Sequence, residues 1–182
     1  MKNIFTILAL TIGFSMNAQM DDNSANNNSA GIYSVAMGYN TTASGIVSTA
    51  MGDNTTASGN YSTAMGYDTT ANGLYSTAMG YDTTASGSAS TAMGAFTTAI
   101  GTSSTAMGYN TTASGFSSTA MGRSTTASDY GSLVIGQYNS SGSSVTSSAT
   151  AYDTDNTAFV IGNGAGSGSK SDAFKVMFNG DA

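Results

Sequence analysis

The chain has 182 residues, of which only 8% are charged, and its ten acidic residues outnumber the four Lys and Arg to give a net charge of −6. This charge disfavours a nucleic-acid partner, which requires a basic surface. The sequence contains no Cys, His or Glu, which excludes a disulfide framework, a thiolate metal site and a His base for a Ser nucleophile. We therefore predict a protein that is not an enzyme and needs no cofactor.

The N-terminus has the pattern of a secretory signal. Lys2 supplies a positive charge, and the apolar segment from Ile4 to Phe14 is too short to span a bilayer. Met16-Asn17-Ala18 resembles a cleavage site, so we predict a signal peptide at residues 1–18 and export of the remainder. The alternative is a buried N-terminal helix, which the polar run from Asp21 to Ser29 disfavours. Residues 19–30 are interpreted as a polar spacer.

A strict repeat occupies the middle of the chain. The motif Ser-x-Ala-Met-Gly recurs every fourteen residues, and a variant, Ser-Leu-Val-Ile-Gly, follows at Ser132. A related motif, Thr-Thr-Ala-Ser-Gly, lies between the copies, so that Ala-x-Gly returns every seven residues. Two breaks stand out, Asp129 where Gly is due and Val134 where Ala is due. The seven copies begin at Ser34, Ser48, Ser62, Ser76, Ser90, Ser104 and Ser118.

The seven-residue period does not indicate a coiled coil. Each heptad carries a Gly, which costs about 1 kcal/mol relative to Ala inside a helix, and two β-branched Thr, which favour strands. Each heptad is better interpreted as a strand of about five residues followed by a two-residue corner. Pairs such as Tyr67-Asp68 follow the Met-Gly motif, and Asp and Asn accept left-handed backbone angles. Two heptads then form one coil of an all-β, parallel β-roll spanning residues 31–138.

Alternation along each strand assigns its two faces. The small, regularly spaced Ala residues fit the narrow inside of a coil, which leaves Met on the outside of one strand. A continuous row of exposed Met marks an interface. We therefore predict that partner chains pack on the methionine row, which consists of Met37, Met51, Met65, Met79, Met93, Met107 and Met121.

The repeated Ser-Val-Ala-Met-Gly of Ser34–Gly38 resembles the head repeat of YadA-like trimeric autotransporter adhesins, whose motif is Ser-Val-Ala-Ile-Gly. The resemblance covers roughly residues 31–138. It implies a left-handed parallel β-roll, a homotrimer, and adhesion to host matrix or cells at the bacterial outer membrane. Met replaces the family's Ile, a conservative change.

Residues 139–182 are predicted to be a β-rich connector, which leads to a further domain. The segment from Asp155 to Val176 is similar to segments that lie below such heads and in phage tail-fibre-like proteins. Asn179-Gly180 is a hairpin signal. No membrane anchor of the family's usual type is recognised in the sequence.

Three groups of residues are candidate sites. The corner after the Thr-Thr-Ala-Ser-Gly motif varies most between repeats, and we predict ligand contacts there at Tyr61, Leu74, Tyr75 and Phe116, with packing between protomers as the alternative. Asn54, Asp68 and Asp82 could offer oxygen ligands to a hard cation, but we interpret them as ordinary turn residues. The glycines from Gly162 to Gly168 lack the Lys-Ser/Thr ending of a phosphate loop and are interpreted as a flexible link.

The predicted function is adhesion by multivalent contacts of an exported head. A structural spacer or fibre segment is the first alternative. An ice-binding solenoid is the second, because Thr49, Thr63, Thr77, Thr91, Thr105 and Thr119 would form a regular row on a flat sheet.

Overall fold

The computed structural model describes residues 27–182, which form a parallel β-solenoid of about eight turns. The predicted signal peptide and most of the predicted spacer lie outside the described residues. Each turn contributes one long strand and one short strand, and the two sets form separate sheets. The predicted all-β class and fourteen-residue coil are confirmed, and no helix is present among residues 27–182.

The ten-stranded sheet contains the Ala-Met-Gly motifs. Its strands are β2 (Val35–Tyr39), β4 (Thr49–Asp53), β6 (Thr63–Tyr67), β8 (Thr77–Tyr81), β10 (Thr91–Ala95), β12 (Thr105–Tyr109), β14 (Thr119–Arg123), β16 (Leu133–Gln137), β17 (Thr157–Asn163) and β18 (Asp172–Met177). They lie in the order β18-β17-β16-β14-β12-β10-β8-β6-β4-β2, and every pairing is parallel except that between β17 and β18.

The eight-stranded sheet contains the second motif and has strands of only two residues, shorter than the five that the sequence predicts. The first of them lies within residues 19–30, so the solenoid begins inside the segment interpreted as a spacer. The strands are β1 (Asn28–Ser29), β3 (Thr42–Ala43), β5 (Thr56–Ala57), β7 (Thr70–Ala71), β9 (Thr84–Ala85), β11 (Thr98–Ala99), β13 (Thr112–Ala113) and β15 (Thr126–Ala127).

The core is a column of alanines with no solvent exposure, which confirms the predicted inside face. Equivalent residues pair directly across neighbouring coils, for example Ala64 with Ala78 and Met65 with Met79. Ser76 and Thr83, which begin the two motifs of one coil, are also fully buried. Fourteen Ala share this core with Val134 and Val160: Ala36, Ala43, Ala50, Ala57, Ala64, Ala71, Ala78, Ala85, Ala92, Ala99, Ala106, Ala113, Ala120 and Ala127.

The two glycines of each coil allow the coils to approach closely. A Cβ on Gly80 would lie 2.0 Å from the carbonyl oxygen of Gly94, and one on Gly73 would lie 2.0 Å from that of Gly87. Gly80 also has a φ of +125°, a backbone angle that L side chains rarely adopt. Each coil therefore needs glycine at both places, except the last, where Asp129 stands at the second place.

Candidate functional site

The first corner follows each long strand and carries a column of aromatic rings. Tyr67 and Tyr81 stack with centroids 5.2 Å apart and an interplanar angle of 6°. Phe96 then meets Tyr81 and Tyr109 edge to face, at 5.2 and 5.6 Å.

The second residue of the first corner adopts left-handed backbone angles, as predicted for its Asn and Asp residues. The φ angles of Asn54, Asp68 and Asp82 are 55°, 54° and 51°. The side chains also bond along the rod: Asn40 Nδ2 donates to Asn54 Oδ1 at 2.8 Å, and Asn54 Nδ2 donates to Asp68 Oδ1 at 2.7 Å. Among residues 27–182 no group of three acidic side chains could hold a metal ion.

The second corner follows each short strand and contains three of the four predicted ligand contacts in one cluster. Tyr61 and Tyr75 stack at 5.1 Å, and Leu74 lies beside them. The exposed apolar surface continues to the N-terminal coils through Ile32, Tyr33, Ile46 and Val47. We call these seven residues the apolar corner. Phe116 lies apart from it, stacked on Tyr130 at 5.4 Å, because Ser88-Ala89 and Thr102-Ser103 interrupt the row.

At the second corner, bulky residues adopt left-handed backbone angles. Val47, Tyr61 and Tyr75 have φ angles of 54–58°, a region that β-branched and bulky residues rarely occupy. A neighbouring coil holds this conformation by backbone hydrogen bonds, such as Tyr61 N to Ile46 O at 2.7 Å. The varied side chains of this corner are therefore tolerated because the backbone of the coil stack fixes their positions.

The methionine row lies on the outer face of the ten-stranded sheet and is half-buried within the chain. Met65 pairs in register with Met51 and Met79. It lies between Thr63 and Tyr67 of the same strand, so the row has an outward Thr row on one side and the first corner on the other. This places the methionines outside, as the alternation predicts.

The C-terminal end of the solenoid is closed by a chain segment that the repeat pattern does not predict. Strand β17 pairs with β16 as Leu133 with Phe159, an offset of 26 residues instead of fourteen. The intervening chain folds back against the last coils, where Phe116 N and Tyr130 N of the second corner donate to Ala149 O and Ser148 O, at 2.8 and 2.9 Å. Residues 139–156 therefore cover the end of the second sheet.

Three buried polar side chains fasten this closing segment. Asp129 accepts hydrogen bonds from the amides of Thr146 and Thr157, at 2.6 and 2.8 Å. Asn139 accepts from Thr126 N at 2.8 Å and donates to Thr126 O at 2.9 Å, in place of a further strand. Asn156 accepts from Ser148 N at 2.7 Å. The breaks in the repeat at Asp129 and Val134 were the available signal for this closure.

One titratable group in the closing segment is shifted. The hydroxyl of Ser147 donates to Asp153 Oδ2 at 2.6 Å, and the amide of Asp155 donates to Oδ1 at 2.9 Å. These bonds stabilise the carboxylate and hold the pKa of Asp153 below its ordinary value. The arrangement is that of a local turn.

The glycine-rich segment after β17 forms an ordered turn rather than the flexible link interpreted from sequence. Gly166 pairs with Ser169, and Ala165 N donates to Ser169 O at 3.0 Å. Gln137 Nε2 also donates to Gly164 O at 3.0 Å, which joins the turn to the first corner.

The comparisons with known proteins agree with this architecture. The family model for the YadA head domain repeat matches residues 29–55, 43–69, 71–97, 99–115 and 113–139. These matches cover more than half of the chain and coincide with the coils. The chain therefore belongs to the YadA head family of adhesin-type surface proteins. No curated protein matches the chain.

No helix among residues 27–182 is long and apolar enough to cross a membrane.

Proposed function

We propose that the chain is an exported adhesive head that acts at the bacterial cell surface as a homotrimer, and that the apolar corner contacts a host matrix or cell-surface ligand. Membership of the adhesin-type family supports the general role. The observation that carries the proposal is the apolar corner itself, seven large exposed side chains without a charge among them. A contiguous exposed apolar surface is typical of an interaction site.

The geometry of the coil stack suits such a contact. Because each coil repeats the position of the one before it, the side chains of the apolar corner form a continuous strip along the rod. Tyr61 is 50% exposed and Tyr75 is 57% exposed, so both retain surface for a partner after stacking on each other. Aromatic residues are enriched in protein recognition surfaces.

Trimerisation through the methionine row would multiply these contacts. The methionines lie on the outer face of the ten-stranded sheet, away from the second sheet, and are only half-buried in one chain. Packing three such rows together would remove this apolar surface from water. Three copies of a weak contact then bind with an avidity far above that of one.

The experiment measures attachment of the exported full chain, displayed on beads, to immobilised extracellular-matrix extract and to cultured cells. The test variant is Tyr61→Ser/Leu74→Ser/Tyr75→Ser. The matched control is Tyr67→Ser/Tyr81→Ser, which removes an equally exposed stacked pair, 49% and 48%, from the first corner. We expect attachment to fall at least about tenfold in the test variant only.

Equal attachment by the test variant and the parent chain, with the oligomeric state unchanged, would remove the apolar corner from the proposal. Absence of attachment by the parent chain itself would favour a structural spacer or fibre segment instead.

Ice binding is a second candidate because of one observation. An outward Thr row runs without a break along the eight-stranded sheet, where Thr56 pairs with Thr70 and Thr98 pairs with Thr112. The neighbouring outward row is less regular, since Asn72 and Ile100 interrupt its serines. Thermal hysteresis of the purified chain distinguishes the two: a clear hysteresis gap supports ice binding, and its absence leaves adhesion.

A further inference from the structure

A polar groove lies at the C-terminal end of the first corner, outside the apolar corner. Its volume is about 220 Å³. Asn110, Thr112, Ser124 and Thr126 form the solenoid side, and Ser167 and Lys170 form the other side from the glycine-rich turn. Tyr138 also lines the groove. The volume is below the range of about 300–1,000 Å³ typical of sites for drug-sized ligands, so the groove suits a single small ring.

The wall formed by the turn is held in place by the backbone. Gly164 N donates to Gln137 O at 3.1 Å, and Ser171 N donates to Tyr138 O at 3.1 Å. A Cβ on Gly164 would lie 2.5 Å from the carbonyl oxygen of Tyr138, so only glycine allows this approach. The groove is therefore shaped before any ligand arrives, which lowers the entropic cost of binding.

The groove contains one of the few cations of an acidic chain. Residues 27–182 contain Arg123, Lys170 and Lys175 against eight Asp. Lys170 lines the groove, and the Arg123 guanidinium lies 5.6 Å from the ring centroid of Tyr138, which also lines it. Within this described range neither cation has a carboxylate at salt-bridge distance. The carboxylate of Asp172, two residues after Lys170 in the chain, instead accepts hydrogen bonds from the amides of Ser140 and Ser141, at 2.8 and 2.7 Å.

We propose that this groove binds an acidic saccharide through one carboxylated sugar ring. Lys170 pairs with the carboxylate, while the hydroxyl and amide groups of Thr112, Thr126 and Asn110 exchange hydrogen bonds with the ring hydroxyls. Both donors and acceptors line the groove, which suits hydroxyls better than a phosphate group, and recognition of phosphopeptides uses clustered Arg rather than one Lys.

The threonine side of the groove lies away from the methionine row of the proposed trimer. Thr112 and Thr126 lie on the eight-stranded sheet, whereas the methionine row lies on the outer face of the ten-stranded sheet. Saccharide binding therefore does not depend on the apolar corner or on adhesion to matrix, and each can fail without the other.

The test uses the full exported chain with two matched probes, the methyl glycosides of glucuronic acid and of glucose, which differ in the carboxylate. Binding at millimolar concentration is followed by amide chemical shifts in two-dimensional NMR. We expect the glucuronide to shift the amides of Thr112, Thr126 and Lys170, and the glucoside to bind about tenfold more weakly, because a charge-assisted hydrogen bond is lost.

Two variants that each remove one positive charge test whether the glucuronide carboxylate binds at Lys170. We expect Lys170→Gln to weaken glucuronide binding about tenfold, and Lys175→Gln, on the exposed strand β18, to leave it unchanged. Thermal unfolding shows that both remain folded. Equal binding of the two glycosides, an equal effect of the two variants, or no shift with either probe overturns the proposal. Competition with inorganic sulfate is a further check. If sulfate displaces the glucuronide at the concentration at which the glucuronide itself binds, the site accepts any anion and the proposal is overturned.

Discussion

The carboxylate of Asp129 lies fully buried at the end of the coil stack and accepts a hydrogen bond from the backbone amide of Thr157 at 2.8 Å. Its second oxygen accepts from Thr146 N at 2.6 Å. Asp129 stands where the Ala-x-Gly repeat would place a glycine. Its equivalent one coil earlier, Gly115, lies close to the backbone of the next coil. Only the last coil has room for a side chain there, so the departure from the repeat joins the solenoid to β17.

We expect Asp129→Asn to destabilise the chain by about 1–3 kcal/mol, because its amide group would turn an N–H towards a backbone donor and leave a buried donor unpaired. Asp53→Asn is the matched control, since Asp53 is exposed at the first corner, where the equivalent positions of other repeats contain Tyr, Ala or Arg. Urea unfolding measures the free energy, and hydrogen exchange locates the loss. Equal stability of the two variants would contradict a fastening role for Asp129.

The close approach of the coils predicts that two glycines differ in how much stability is lost when each is replaced by alanine. Gly80→Ala is expected to cost about 3 kcal/mol or more, since it combines an unfavourable φ of +125° with a Cβ 2.0 Å from the carbonyl oxygen of Gly94. Gly168→Ala should change stability by less than about 0.5 kcal/mol, because nothing lies within 4 Å of its added Cβ. Denaturant midpoints of the two variants test this, and a tolerated Gly80→Ala would contradict the coil spacing.

Much of the coil follows from sequence because the repeat constrains it. Strand alternation and the small size of Ala78 place that residue inside and Met79 outside, and the structure agrees. The sequence does not distinguish the two glycines of a coil. In the structure Gly66 has a positive φ and lies inside a strand that continues to Tyr67, whereas Gly73 has no positive φ and lies two residues beyond the short strand Thr70–Ala71. The unequal strand lengths therefore could not be predicted from the Ala-x-Gly spacing.

The candidate site was only partly predictable for a similar reason. Variation at the second corner indicates surface, and Tyr61 and Tyr75 are exposed there. Their left-handed φ angles depend on hydrogen bonds from the coil before, which residue preferences do not reveal. The polar groove depends on contacts of Gly164 with Gln137 and Tyr138, which precede it in the chain by 27 and 26 positions. A motif search along the chain cannot detect such long-range packing.

The hydrogen bonds at Asp153 predict the acid response of the closing segment. The pKa of Asp153 is lowered first by the Ser147 hydroxyl and then by the Asp155 amide. Because the pKa of Asp153 is lower in the folded chain, its carboxylate stabilises the fold at pH values above the pKa in the unfolded chain, roughly 3.9. This stabilisation is lost as the pH falls through the pKa in the folded chain. Carboxyl NMR titration should show the Asp153 pKa rising in Ser147→Ala. An unchanged titration would show that the hydroxyl does not stabilise the carboxylate.

The proposed trimer predicts the effect of a charge in the methionine row. Met65 is the third of the seven methionines of the row and pairs in register with Met51 and Met79. If three rows pack together, Met65→Asp places three carboxylates in an apolar interface, and we expect the trimer to dissociate in light scattering. Thr70→Asp, on the outward face of the eight-stranded sheet, is the matched control and should remain trimeric. A stable trimer in both variants would show that the methionine row faces solvent and that another surface joins the chains.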